Sequence, residues 1–121
     1  MPERHHRIDY IELSATDLPR VQAFYGQAFG WTFTAYGPGY VGISTGGEGE
    51  AGGFAKVDEL PEPLAGSPLV ILYSKKLEST VSAVTEAGGT ITTPPFDFPG
   101  GRRFHFRDTE GNVLAVWTEL T

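Results

Sequence analysis

The stretch IDYIELSATDLPRVQAFYGQAFGW, residues 8–31, decides the fold. It opens with a strand-like run, Ile8–Leu13, in which Ile11 and Leu13 mark one apolar face. Asp17 stands where a helix N-cap belongs, because its carboxylate can accept a hydrogen bond from an unpaired first-turn N–H. Pro19 is tolerated in that turn, whose N–H groups have no intrahelical partner. Leu18, Val21, Tyr25, Ala28 and Phe29 then recur at helical spacing. Gly30 supplies the stop, since glycine takes φ > 0 without penalty, and Trp31 begins new strand-like sequence.

Roughly sixty residues later the same order returns. Leu69–Tyr73 is apolar, Leu77, Val81, Val84 and Ala87 mark a helix, Gly88–Gly89 ends it, and strand residues follow. A repeat of this kind governs the whole fold. The first copy continues with strands over Trp31–Tyr36 and Tyr40–Thr45, joined at Gly37–Gly39, a loop at Gly46–Glu50, and a strand over Ala51–Val57. Asp58–Ser67, with Pro61 and Pro63, reads as a linker. The second copy has strands over Pro68–Tyr73 and Thr90–Thr93, the latter ended by Pro94–Pro95. Arg102–Arg107 and Val113–Thr118 then form a hairpin around Asp108–Asn112, with Gly111 at the φ > 0 position. The expected class is α+β: one domain, residues 1–121, made of two tandem βαβββ modules (8–57 and 68–118) joined by residues 58–67, their curved mixed sheets forming a cup.

Composition agrees with one globular unit. At 121 residues the chain buries about two-thirds of its unfolded surface, and eight Phe, five Tyr and two Trp give large burial per residue. The formal net charge of −6 leaves no basic stripe, so nucleic acid is not an expected partner. Without cysteine there is no disulfide framework, thiol chemistry or Cys-based zinc site. No apolar run approaches membrane-spanning length, and Met1–Arg7 lacks a signal-type apolar region. A cytoplasmic protein with no membrane partner is expected.

Alternation assigns the faces of each strand. If Ile11 and Leu13 lie beneath the helix, then Tyr10, Glu12 and Ser14 look into the cup. In the second module Leu72 matches Leu13, so Leu69, Ile71 and Tyr73 look inward. A slip of one residue would invert the whole set.

The residues Ile8–Leu18, Phe24-Tyr25 and Phe29-Gly30-Trp31 resemble the opening of the vicinal oxygen chelate superfamily, which includes glyoxalase I, bleomycin-resistance proteins, fosfomycin-resistance enzymes and extradiol dioxygenases. Phe104–Asn112 followed by Val113–Trp117 is similar to that superfamily's closing hairpin, commonly Asp-Pro-x-Gly-Asn and then a Glu; here Thr109 replaces the proline. The resemblance spans nearly the whole chain and implies the glyoxalase/bleomycin-resistance fold. Metal-dependent members place His or Glu at four cup positions. Carried over, these fall on Tyr10, about Gly53, Leu69 and Ala115. A catalytic metal site needs about three protein ligands, and none of the four is a good one, so neither a metal nor another cofactor is expected. Extradiol-type relatives also place an active-site tyrosine at the position of His105, which puts Arg103 and His105 in the cup and Phe104 and Phe106 beneath the helix. Small relatives often build the cup from two chains, which implies a homodimer.

Several side chains then become candidates. His105 has an unperturbed pKa near neutrality, suited to a general base or a hydrogen-bonding contact, and equally to a strand histidine without catalytic duty. Glu12 facing the same cavity would complete an acid–base pair; as a rim glutamate it would only meet water. Tyr10, Tyr73 and Trp117 offer flat surfaces for a ring or a cation, or plain packing. The small residues Ala51, Gly53, Ala55 and Ala115 leave room for an organic ligand or a tighter interior. Phe98–Arg103 is a glycine-rich loop at the pocket lip. It is not a phosphate loop, since no Lys-Ser/Thr follows, but Arg102 or Arg103 can meet an anionic group. His5–His6 is a tail pair. The leading expectation is a metal-independent protein binding a small organic ligand through Tyr10, Gly53, Leu69, Tyr73, Arg103, His105, Ala115 and Trp117. The alternatives are a metal-independent isomerase or lyase using Glu12 and His105 as catalytic groups and, against the missing ligands, a metal-dependent glyoxalase- or dioxygenase-like enzyme.

Overall fold

The computed structural model describes residues 5–60, 62 and 66–120. Pro61 and Pro63, on which the linker reading rests, lie outside the described residues. The order of elements is β1 (Ile11–Ala15), α1 (Leu18–Phe29), β2 (Thr32–Ala35), β3 (Tyr40–Ser44) and β4 (Gly52–Lys56), then β5 (Val70–Tyr73), α2 (Leu77–Glu86), β6 (Thr90–Phe98), β7 (Gly101–Arg107) and β8 (Val113–Glu119). The repeat is therefore real: βαβββ twice. Each module forms a four-stranded mixed sheet, ordered β1-β4-β3-β2 and β5-β8-β7-β6. In both, the first strand pairs in parallel with the last, and the other neighbours are antiparallel.

Local signals set the ends of α1. Asp17 Oδ1 accepts from the Arg20 N–H at 3.0 Å, and Gly30 at φ 74 donates its N–H to the Gly26 carbonyl at 3.0 Å. Asp17→Ala is expected to lower stability by about 1 kcal/mol and Asp17→Asn by much less; thermal unfolding of the three chains compares them. The N-cap of α2, Lys76, makes no side-chain cap. Ser74 Oγ accepts from its N–H instead, at 3.0 Å, and meets Thr80 Oγ1 at 2.7 Å.

Two expectations about strands are corrected. The first strand starts at Ile11 rather than Ile8, where Gly52 of β4 begins to face it. The strand expected over Thr90–Thr93 runs on to Phe98, through Pro94 and Pro95. Its pairing with β7 shifts register twice, between Ile91 and Thr93 and between Thr93 and Phe96. Proline is excluded from central strands because it donates no ladder hydrogen bond, but β6 is an edge strand with irregular pairing, where that loss is tolerated. The glycine-rich lip accordingly shrinks to a tight turn at Pro99–Gly100, with Gly100 at φ 106 and Phe98 facing Gly101.

The two modules share one core. It takes Leu18, Val21, Phe24 and Tyr25 from α1, Leu77 and Val84 from α2, Ala15, Val41, Ile43 and Phe54 from the first sheet, and Phe104, Phe106, Leu114 and Val116 from the second. Helix α1 binds the halves together. The Tyr25 ring stacks on Trp31 at 4.6 Å and lies 5.4 Å from Phe54, while Phe24 and Phe29 reach Phe106 at 6.1 and 5.8 Å. Polar contacts reinforce this joint. Tyr25 donates to Asp108 Oδ2 at 2.8 Å, and Asn112 Nδ2 donates to the Ser14 carbonyl at 2.8 Å. Glu110, buried in the β7–β8 turn, accepts from the Thr16 and Asp17 N–H groups and the Thr16 hydroxyl at 2.9–3.0 Å, and from Arg20 Nε at 2.6 Å.

Candidate functional site

Alternation leaves each sheet a second face that points away from the shared core. On the first sheet this face carries Tyr10 and Glu12, together with Tyr40 and the facing pair Gly42 and Gly53. The Tyr10 and Tyr40 hydroxyls meet at 2.7 Å. Burial, then hydrogen bonds to Tyr10 and Glu12, push the Tyr40 hydroxyl well above its ordinary range. Tyr36 donates to Glu50 Oε2 at 2.8 Å. The space above the glycines is filled by the tips of neighbouring side chains. A Cβ at Gly53 would collide with the Tyr40 and Tyr10 hydroxyls, and one at Gly42 with the Glu50 carboxylate. Side chains lie down on this sheet because two opposed positions have none.

On the second sheet the equivalent face carries Arg103, His105, Ala115, Trp117 and Tyr73. Ala115 faces His105 on one side and Ile71 on the other, and is fully buried. Arg103 stacks its guanidinium 5.5 Å from the ring centres of both Phe96 and Phe98. Trp117 lies 6.4 Å from Phe98 and 5.5 Å from Tyr73, and Tyr73 donates to Glu119. Burial, followed by the Arg103 charge, lowers the His105 pKa, which favours the neutral imidazole. Arg103 Nε and His105 Nε2 are both screened from solvent and have no hydrogen-bonding partner among the described residues. Arg102, one position along, is engaged: Asp97 holds it at 2.7 Å and Glu78 at 3.5 Å.

The two faces carry separate clusters. Among the described residues no hydrogen bond or ring contact joins Tyr10, Glu12 or Tyr40 to Arg103, His105, Tyr73 or Trp117. The acid–base pair expected of Glu12 and His105 is thus divided between the two sheets. Leu69 is half-buried just before β5. A cleft of about 490 Å³ between the modules is lined by Ile11, Leu13, Phe29 and Trp31 on one side and Val70–Tyr73 and Leu114 on the other. Of the candidate residues, Tyr73 and Ala51 line it.

The residues at the four positions that the family resemblance marks for a metal do not fit a divalent cation. Gly53, Leu69 and Ala115 carry no donor side chain, the space above Gly53 is taken by two tyrosine hydroxyls, and the Tyr10 hydroxyl is itself hydrogen-bonded. Among the described residues no three His, Asp or Glu side chains form a metal-binding group.

Sequence reasoning missed Tyr40 and Phe96, and placed Phe98 in the lip loop rather than on a strand. The glycines at 42 and 53 were a usable sign of something lying flat on the sheet. Phe96 was hidden, and Phe98 misplaced, because the strand seemed to stop at Pro94.

Residues 7–116 match the Glyoxalase/Bleomycin resistance protein/Dioxygenase superfamily. The chain belongs to that superfamily. A glyoxylase-like domain-containing protein from Didymella fabae is 34% identical over 131 aligned positions, covering 94% of each chain. Among solved structures, a glyoxalase-related enzyme from Fulvimarina pelagi superposes with a TM-score of 0.78 at 20% identity, over 94% of this chain and 88% of that one. An antibiotic-binding protein from a Streptomyces species gives 0.70 at 20% identity, over 98% and 100%. At such identity these two structures establish a shared fold for this glyoxalase/bleomycin-resistance superfamily member. No described helix is long and apolar enough to cross a membrane.

Proposed function

We propose that the protein binds a small organic molecule without a metal, in a cup made from the open face of one protomer's first sheet and the open face of a partner's second sheet. The observation that carries this reading is the chemistry at the four metal positions. They offer no donor set for a divalent cation, whereas the residues around them are tyrosines, tryptophan and phenylalanines suited to an organic guest. The antibiotic-binding relative lends the reading an example on the same fold.

Two facts support a dimeric cup. The two open faces hold complementary groups, hydroxyls and carboxylates on one and Arg103 and His105 on the other, yet a single chain does not join them. Moreover, Ile11 and Ile71 lie on the free edges of β1 and β5 with 40% and 44% of their surface exposed, and both line the cleft between modules. Exposed apolar residues along sheet edges are a natural contact for a second copy.

The test combines sedimentation with a thermal-shift screen of an organic compound collection, run with and without a chelator. A dimer at micromolar concentration and a compound that raises the melting temperature equally in chelator are expected, since a ligand selective for the native state stabilises it. Only monomer, or a shift that requires an added divalent cation, would sink the reading.

A further inference from the structure

We propose that the open face of the second sheet recognises a flat organic molecule by its oxyanion, a carboxylate or phenolate held by Arg103 and His105. This names the ligand class and rests on the small-molecule reading above.

The first observation is the pair of unsatisfied atoms. Arg103 Nε and His105 Nε2 are cut off from water and meet no partner among the described residues. Buried polar groups are nearly always hydrogen-bonded, and leaving one unpaired costs free energy. The two residues are two apart on β7, so both side chains project from the same face. The two unpaired groups therefore belong to one face of the second sheet.

The second observation is the contrast with Arg102. That guanidinium, on the alternate side of the strand, has two carboxylates for itself. Arg103 forms no ion pair among the described residues, although the chain carries 15 acidic residues against nine basic ones. Its cation is held between the Phe96 and Phe98 rings instead, which fixes the guanidinium plane without neutralising it. The guanidinium is the permanent charge of the pair, and the lowered pKa of His105 favours its neutral form, which together suit a monoanion.

The third observation is the wall beside these groups. Phe98, Trp117 and Tyr73 are linked by ring contacts, and Phe96 packs beside His105 on the same face. Such a wall packs against a ring rather than a flexible chain.

The experiment is isothermal titration of the full chain with benzoate, salicylate and 2-naphthoate, with the primary amides of the same rings, and with benzylamine. At least one acid should bind about 10- to 100-fold more tightly than its amide, the range expected of a charge-assisted hydrogen bond. Arg103→Met should erase that preference, so that an acid and its amide bind alike. Arg103→Lys should restore only part of it, because an ammonium lacks the planar fork. Far-ultraviolet dichroism checks that each variant folds; should Arg103→Met fail, the acid–amide comparison on the natural chain and Arg103→Lys decide the matter. Amides or benzylamine binding as tightly as the acids would overturn the inference and leave the small-molecule reading intact. An acid preference that survives in folded Arg103→Met, or no binding of any acid, would overturn it as well. The small-molecule reading itself stands or falls on the broader thermal-shift screen.

Discussion

Glu110→Gln is expected to cost about 3 kcal/mol of stability at pH 7, and to cost progressively less as the solution is acidified. Burial pushes the Glu110 carboxyl up, but the Arg20 guanidinium, the Thr16 hydroxyl and the N–H groups of Asp17 and Thr16 outweigh it and hold the pKa at about 2, against an ordinary 4.5. A carboxylate depressed in the folded chain stabilises it above the ordinary value, and that stabilisation disappears as pH falls from about 4.5 toward 2. At roughly 1.4 kcal/mol per unit, the shift corresponds to the figure given. Asp108 acts in the opposite sense. Burial raises its pKa despite hydrogen bonds from Asn112 and Tyr25, so acidification relieves part of its cost. The informative quantity is therefore the difference between the natural chain and the variant, in which the Asp108 contribution cancels to first order. Urea unfolding at pH 7, 4 and 3 measures it. A difference that stays constant across that range would mean that Glu110 is held by shape rather than by charge.

The second large effect is expected from Phe106→Ala, at about 3–5 kcal/mol. Phe106 is fully buried on the second sheet and touches Phe24 and Phe29 of α1 as well as Phe104. Its removal leaves a cavity at the point where the first module's helix packs on the second module's sheet. Denaturant unfolding should show a lower midpoint with a single transition. A loss below about 1 kcal/mol would mean that the halves are not joined through this ring.

Much of this architecture is written locally. Asp17 and Gly30 announce the ends of α1 because capping depends on a few adjacent residues. The alternation in Ile11–Leu13 and Phe104–Phe106 assigns faces because side chains on a strand repeat every two residues. What was illegible depends on partners far away in the chain. The role of Glu110 is fixed by groups 90 to 94 residues earlier, and the turn that contains it reads only as a turn. Pro94–Pro95 mark a strand end by local rules, yet an edge position with shifted register lets the strand continue. The misreading concealed half of the aromatic setting of Arg103. The family resemblance, extended by alternation, names Arg103 and His105, but that Arg102 is neutralised and Arg103 is not depends on where Asp97 and Glu78 fall in space.

The prolines in β6 also bear on edge-to-edge association. A sheet edge with free N–H groups is a template for another chain. At residues 94 and 95 the outer strand of the second sheet has no such groups to offer, and its irregular register further spoils the template. Lateral growth is thereby discouraged on that flank, while β1 and β5 contain no proline. The protection is local: the outer strand of the first sheet, β2, also contains no proline, so only one of the four sheet edges is blunted in this way.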